Sequence, residues 1–261
     1  MNYPDIDPVI FSIGPVALHW YGVMYLVGFV STFWLAKKRI KAGWGEKWQE
    51  NQVDDLIFYG AIGVILGGRV GYVLFYNFPV FLDNPLYLFY IHEGGMSFHG
   101  GLLGVITAMW LFGRKYGHHF VEVTDFIAPM VPIGLGAGRV GNFINNELWG
   151  KPTDGPWGII PPGHTQALHP SMLYEAFLEG LVLFVILWVY SSKPRPMMAT
   201  SGMFLLGYGV FRFVVEFVRV PDAQLQYLAL GWVTMGQILS LPMILIGLGL
   251  IAWAYRKKRA D

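Results

Sequence analysis

These 261 residues include no cysteine. That excludes a disulfide framework, a thiolate metal site and a cysteine nucleophile of the chain's own, so any sulfur chemistry has to arrive with a substrate. Charge is scarce too. Only 13% of the residues are Asp, Glu, Lys or Arg, against roughly 25% in a soluble domain. The net charge of +1 leaves no basic stripe to track phosphates, and no nucleic-acid partner is expected. The opening Met1 to Pro8 lacks a basic n-region, so no cleavable signal peptide is expected. Fixed-period repeats and long polar stretches are missing as well, and one domain covering 1–261 is the expectation. What the chain has is apolar surface: 54% hydrophobic residues and a mean hydropathy of +0.46, a membrane composition.

A helix needs about 20 mostly apolar residues to cross a bilayer. Seven stretches qualify, at 16–36, 53–76, 96–113, 121–140, 171–190, 201–218 and 233–255. The second and fourth are interrupted by glycine, proline and charge, which leaves open a six-span alternative with one re-entrant segment. Basic residues set the sidedness. Lys37, Lys38, Arg39, Lys41 and Lys47 follow the first stretch, Arg114 and Lys115 the third, Lys193 and Arg195 the fifth, and Arg256 to Arg259 the seventh. Thirteen of the 18 Lys and Arg therefore fall on one side, with Lys151 alone in the opposite loops. By the positive-inside rule the first side is cytoplasmic. The expected fold is an all-α integral membrane protein of seven transmembrane helices around a polar central cavity, N-terminus outside and C-terminus in the cytoplasm.

Four cations remain, Arg69, Arg139, Arg212 and Arg219, within spans or at their outer ends. Unpaired, they would cost on the order of 10–14 kcal/mol together. Something anionic has to meet them. Guanidinium grips phosphate or carboxylate with two parallel bonds, which a lysine does not. Glu147 and Glu216 can serve two of the four, and a lipid phosphate another.

Three runs concentrate the polar residues. Gly138-Arg139-Val140-Gly141-Asn142-Phe143-Ile144-Asn145-Asn146-Glu147-Leu148-Trp149-Gly150 carries an arginine, three amides and a glutamate out of an apolar stretch. It reads either as an anion site or as an Arg139–Glu147 salt bridge. In the sixth stretch Tyr208, Arg212, Glu216 and Arg219 fall within roughly 80° on a helical wheel, as one wall of a cavity or as an Arg212–Glu216 staple. At the outer end of the third, Gly94-Gly95-Met96-Ser97-Phe98-His99-Gly100-Gly101 offers a histidine, the side chain best suited to take a proton near neutral pH. A hydrogen-bonded interfacial histidine is the plainer reading of the same run.

The first run resembles the signature of the bacterial prolipoprotein diacylglyceryl transferases, glycine-arginine-x-x-asparagine-phenylalanine followed by asparagine, glutamate and a closing glycine. The resemblance extends to Leu18-His19-Trp20-Tyr21-Gly22, to Gly67-Gly68-Arg69-Val70-Gly71-Tyr72, to the His99 run and to Gly207-Tyr208-Gly209 through Arg212 and Glu216. It implies transfer of a diacylglyceryl group from phosphatidylglycerol to the lipobox cysteine thiol of a preprolipoprotein. The products would be a thioether and glycerol 1-phosphate, in the first step of bacterial lipoprotein maturation. By that resemblance His99, Arg139 and Arg212 are catalytic, with His99 a candidate base. Arg139, Asn142, Glu147, Tyr21, Tyr208 and Glu216 bind phosphatidylglycerol, and Arg69, Arg219 and Gly150 are secondary candidates. It also implies a multi-pass protein of the bacterial inner membrane whose site faces the periplasmic side, with membrane lipid and a signal peptide as partners and no cofactor. Nothing in the sequence speaks to oligomeric state.

Other chemistries find less support. His164 and His169 have no carboxylate or cysteine at ligand spacing, so no metal is expected. His118 and His119 are expected to be solvated in a cytoplasmic turn. An organic-anion transporter would also want arginines and broken helices, but usually shows paired halves. An intramembrane protease would need Ser97 or the pair Asp54 and Asp55. Ser97 lacks the usual glycine frame, and the aspartates stand at a cytoplasmic span entrance.

Overall fold

The structure is a computed structural model that describes all residues except 15, 46, 92, 93, 222–226 and 261. It divides into two compact units, Ala36–Thr124 and a larger one formed by Met1–Leu35 with Asp125–Asp261.

In the Ala36–Thr124 unit, α2 (Glu50–Tyr76) is followed by the short α3 (Phe78–Asp83), a 3-10 turn (Pro85–Phe89) and α4 (Phe98–Tyr116). The glycines that weakened the second predicted stretch are its packing surface. A Cβ on Gly63 would stand 2.7 Å from the Gly104 carbonyl oxygen, and one on Gly71 2.7 Å from Gly100 Cα. Gly63, Gly67 and Gly71 recur every four residues, so they form one stripe along which the α2 and α4 backbones touch. Ser97 caps α4 by accepting from the Gly100 amide at 3.2 Å, and Gly117, at φ 73°, ends the helix in the left-handed conformation.

The larger unit opens with a hairpin, β1 (Val9–Ile13) against β2 (Val16–His19), turned at Gly14 with φ 58°. Residues 16–19 were expected to begin the first span. They are strand because each finds a partner in β1, and α1 starts only at Trp20 and runs to Lys41. Its last turn carries Lys38, Arg39 and Lys41, where the helix dipole favours cations. The fourth predicted stretch is α5 (Phe120–Ile127) and α6 (Val131–Ile144), a sharply bent pair broken around Pro129.

A 20-residue helix, Ser171–Tyr190, follows; it consists of α7 (Ser171–Glu175), a π-helical stretch (Ala176–Val182) and α8 (Leu183–Tyr190). Next come α9 (Ala199–Val215) and α10 (Met235–Ala260), packed through Gly202 and Gly209 of α9. The sixth predicted stretch ran to residue 218. Helix α9 ends at Val215, so Glu216 is its C-cap, and Arg219 lies beyond the turn that follows, in a single β-bridge with Gly150.

Among the described residues, three helices are long and apolar enough to cross a membrane: Glu50–Tyr76, Ser171–Tyr190 and Met235–Lys257. The bent pair makes a fourth, and Ala199–Val215 is apolar but shorter.

Candidate active site

Glycine places Arg139. On α6 a Cβ at Gly136 would lie 3.0 Å from Gly180 Cα, and one at Gly141 2.8 Å from the Tyr21 ring. Only a bare backbone lets α6 come this close to the π-helical stretch on one side and α1 on the other. The C-terminus of α6 is held by the Tyr3 hydroxyl, which donates to the carbonyls of Phe143 and Ile144 at 2.8 and 3.0 Å. Arg139 is thereby delivered to Glu175, the last residue of α7.

Glu175 is the hub. Its side chain is 0% exposed, and three guanidiniums converge on it. Arg139 Nε stands 2.5 Å from Oε2, Arg212 Nη1 2.5 Å from Oε1, and Arg219 Nη1 2.6 Å from Oε1. The Arg139 contact is charge to charge, not aligned as a hydrogen bond, whereas the other two arginines donate properly. Glu216 closes the network, 2.6 Å from Arg212 Nη2 and 3.1 Å from Arg219 Nε. Its second oxygen accepts from the Thr234 hydroxyl at 2.6 Å. The predicted Arg212–Glu216 pair is therefore present as one edge of a larger web.

Three guanidiniums share two paired carboxylates here, in a setting where charges attract far more strongly than in water. The side-chain exposures are 24% for Arg139, 16% for Arg212 and 11% for Arg219. Arg139 is therefore the cation that an arriving anion reaches most easily.

The alternative Arg139–Glu147 salt bridge does not form, because Arg139 spends its charge on Glu175. Glu147 is exposed and accepts instead from the amides of Asn142 at 2.8 Å and Asn145 at 3.3 Å. Asn142 is the go-between, its Oδ1 accepting from Arg139 Nη1 at 3.4 Å. Asn146 accepts from the Trp149 indole at 2.8 Å. The turn is strained, with Asn146 at φ 57° and Leu148 at φ 63°; a left-handed leucine costs about 1–2 kcal/mol. Gly150 pairs its backbone with Arg219, and a Cβ there would meet the Val218 carbonyl oxygen at 2.5 Å. It is a positioning glycine, and a side chain would push Arg219 away from Glu175.

Tyr21 stands in the first turn of α1, against Gly141 and edge-on to Tyr25 at 5.4 Å. Tyr208 is stacked on Phe204 and faces the charges of Glu179, Arg212 and Arg139. Arg139, Asn142, Glu147, Tyr21, Tyr208, Arg212, Glu216, Arg219 and Gly150 all belong to the larger unit. His99 and Arg69 belong to the other. His99 is exposed in the first turn of α4, edge-on to Phe98 at 5.7 Å. Arg69 is buried, and it donates to the carbonyls of Leu88, Gly94, Gly95 and Tyr87.

Glu175 and Glu179 were missed. Both are ionisable residues in the middle of an apolar helix, and that alone marks an intramembrane site by default. The expectations gave Glu147 and Glu216 to two of the four arginines and a lipid phosphate to another, and overlooked the carboxylates in the fifth stretch. The π-helical stretch that follows Glu175 and contains Glu179 is a further mark, since such irregularities gather at functional sites.

The other polar residues have local structural roles. Ser97 is the α4 cap, Asp54 pairs with Lys37 at 3.3 Å, and Asp55 pairs with Lys115 and Tyr116. His118 was expected to be solvated. It is instead buried, stacked on Trp48 at 4.5 Å with Nε2 3.2 Å from Gln52 Oε1. His169 meets the Tyr174 hydroxyl at 3.0 Å, and burial holds its imidazole below the ordinary 6.5.

Comparison with known proteins gives a consistent result. A family model described as prolipoprotein diacylglyceryl transferase matches residues 8–253. The phosphatidylglycerol–prolipoprotein diacylglyceryl transferase of Azotobacter vinelandii is 60% identical over 260 residues, covering 99% of this chain and 98% of the relative. A Pseudomonas aeruginosa protein of the same name is 57% identical over 262 residues, covering 100% and 98%. One from Marinomonas is 60% identical over 253 residues, covering 96% and 94%.

Proposed function

We infer, from the premise that this chain belongs to the prolipoprotein diacylglyceryl transferase family, that its arginine web is where phosphatidylglycerol gives up its diacylglyceryl group to a prolipoprotein. The observation that carries the reading is the excess of guanidinium over paired carboxylate around Glu175 and Glu216.

The acceptor is the lipobox cysteine thiol of the signal peptide; this chain has no cysteine to offer. The thiolate attacks the glycerol sn-3 carbon, the carbon–oxygen bond breaks, and its electron pair stays on the phosphate oxygen. A thioether forms and glycerol 1-phosphate leaves. Negative charge grows on the phosphate during the step, so guanidiniums aimed at it bind the transition state more tightly than the ground state. Arg139, the most exposed of the three, anchors the headgroup, and Arg212 takes up the developing charge. Asn142 and Glu147 orient Arg139 from one side. Glu175 and Glu216 hold Arg212 and Arg219, while Tyr21 and Tyr208 line the pocket. A free thiol with pKa near 8.5 is only slightly ionised at neutral pH. His99, exposed in the first turn of α4, is the base we assign to it.

The chain works as one polytopic domain of the bacterial inner membrane, with seven spans, its N-terminus and active site on the periplasmic side and its C-terminus in the cytoplasm. The helices long and apolar enough to cross a membrane support the membrane reading, and the basic residues gathered on one side support the orientation.

The test is purified protein incubated with phosphatidylglycerol and a lipobox peptide. A gain of one diacylglycerol in mass on the peptide cysteine is expected. Peptide cleavage, or an unchanged peptide, would overturn the reading.

A further inference from the structure

One carboxylate of the site takes no part in the web. Glu179 lies on the π-helical stretch, one helical turn after Glu175, and is 1% exposed. Neither of its oxygens has a hydrogen-bond partner among the described residues. Among the described residues, the groups that face it are Glu175 from α7, Arg139 from α6, Arg212 and Tyr208 from α9, and Arg219 from the segment beyond α9. Glu216 is one step further off, across Arg212.

Charge balance gives this isolation a consequence. With Glu179 ionised, three guanidiniums face three carboxylates among the described residues, and these charges cancel. With Glu179 carrying a proton, the pocket holds one surplus positive charge, the complement of a phosphodiester monoanion. Glu175 cannot serve as the switch, because three arginines hold its charge in place. Glu216 cannot either, because two arginines and Thr234 hold it. A buried carboxylate that accepts no hydrogen bond and stands beside a second carboxylate is where a proton costs least to add.

We propose that Glu179 is the proton-exchanging residue of the phosphate pocket: it takes up one proton as the phosphodiester of phosphatidylglycerol settles on Arg139 and Arg212, and releases it when the phosphate leaves. No bond of the substrate is made or broken by Glu179. The proton comes from water on binding and returns to water, or to the departing monoester, on release. Glu179 acts through the charge of the pocket and is a positioning residue. The proposal rests on the arginine web being the phosphate site.

The test is calorimetric titration of phosphatidylglycerol, without peptide, into the detergent-solubilised protein in buffers of different ionisation enthalpy. The wild type is expected to take up about one proton per lipid bound, and on the alkaline side its affinity should fall about tenfold per pH unit. Glu179→Gln imitates the protonated form; it should bind with no proton uptake and with an affinity that no longer falls with pH. Glu179→Met, close in volume, is a second neutral variant expected to behave alike. A merely structural Glu179 would shift the melting temperature but leave the proton count alone. Binding by the wild type with no proton uptake would overturn the proposal and leave the phosphate site standing, as would uptake that survives in both variants. Failure of the wild type to bind phosphatidylglycerol at any pH would overturn the site itself, and this proposal with it.

Discussion

Two buried cations, Arg69 and Arg212, solve one problem in opposite ways. Arg69 is 2% exposed, and its Nε, Nη1 and Nη2 donate to the carbonyls of Leu88, Gly94 and Tyr87 at 3.1, 2.7 and 2.5 Å. The Tyr87 ring covers its face at 4.7 Å. The loop that supplies these oxygens turns at Gly94 and Gly95, with φ of 79° and 81°, which only glycine adopts without strain. Among the described residues, every hydrogen-bond acceptor of Arg69 is a backbone carbonyl, fixed in place and uncharged. Arg212 instead divides its nitrogens between two carboxylates that it shares with Arg139 and Arg219. Dipoles solvate a charge and hold it still. Shared carboxylates leave the charges able to re-pair when an anion arrives. The first arrangement stitches a loop, and the second makes a binding site.

The same substitution at both positions separates the two roles. Arg212→Lys keeps the charge and loses the fork that spans Glu175 and Glu216. Loss of one positioned donor to a developing charge costs roughly 100- to 1,000-fold in rate. We expect diacylglyceryl transfer to a lipobox peptide to fall by that order, with yield and melting temperature near those of the wild type. Near-normal turnover would reduce Arg212 to a helix tie and leave Arg139 alone at the phosphate.

Arg69→Lys should act on stability. One ammonium cannot reach carbonyls spread from Tyr87 to Gly95, and each buried acceptor left without a donor costs about 1–3 kcal/mol. The expected result is a lower melting temperature and lower extracted yield, with transfer per folded molecule far less affected than in Arg212→Lys. The reverse pattern, normal stability and lost transfer, would move Arg69 into the catalytic machinery.

How far the sequence discloses this depends on whether partners are near in the chain. The Arg212–Glu216 edge is legible because four residues on a helix bring two side chains together. The Asn142–Glu147 link is legible as part of one contiguous run. Glu175 is 36 residues from Arg139 and 37 from Arg212, and no local periodicity joins them; tertiary packing does, Gly136 on Gly180 for α6 and Gly207 against Leu183 for α9. The hairpin of residues 9–19 is hidden for a related reason. Val16 to His19 is apolar enough to extend a helix, and it is strand only because a neighbouring segment pairs with it. The Arg69 loop could be read only in part, since Gly94-Gly95 announces a turn without saying which side chain the turned carbonyls will meet. Glu175 and Glu179 were visible as charges in an apolar stretch. What the sequence withheld was their partners.

Positioning by backbone alone predicts a smaller effect. Gly150→Ala adds one methyl against the Val218 carbonyl and the His169 Cβ, so the segment that carries Arg219 has to shift. Overpacking of this kind costs about 1–3 kcal/mol. The expected outcome is a partial loss of transfer, well short of that in Arg212→Lys, because Arg219 touches Glu175 and Glu216 but is the least exposed of the three arginines. Transfer unchanged to within error, alongside an unchanged melt, would show that the loop absorbs the methyl and that Arg219 is not held from this side.

The smallest effect lies at His118, and it tests whether acid loosens the unit that Arg69 stitches without touching the arginine web. Burial against Trp48 is the main reason this imidazole sits below its ordinary 6.5; Glu122 opposes the shift and Lys47 adds to it. The direction fixes the sign. Above pH 6.5 the ring is neutral in both the folded and the unfolded chain, and it adds no pH dependence. As the pH falls from there through the lower folded value, the unfolded chain takes up the proton first, so stability declines. The protection factors of the backbone amides around Gly113 to Val123, the pH-dependent intrinsic exchange rate divided by the observed one, should therefore fall in mild acid. His118→Phe keeps a flat ring on Trp48 and removes the titration; its protection should start slightly lower, for want of the contact to Gln52, and then stay level across the same range. An acid response of equal size in His118→Phe would assign the loosening to another group, and the nearest is Glu122, which holds the Lys47 ammonium and the His119 amide at the same turn.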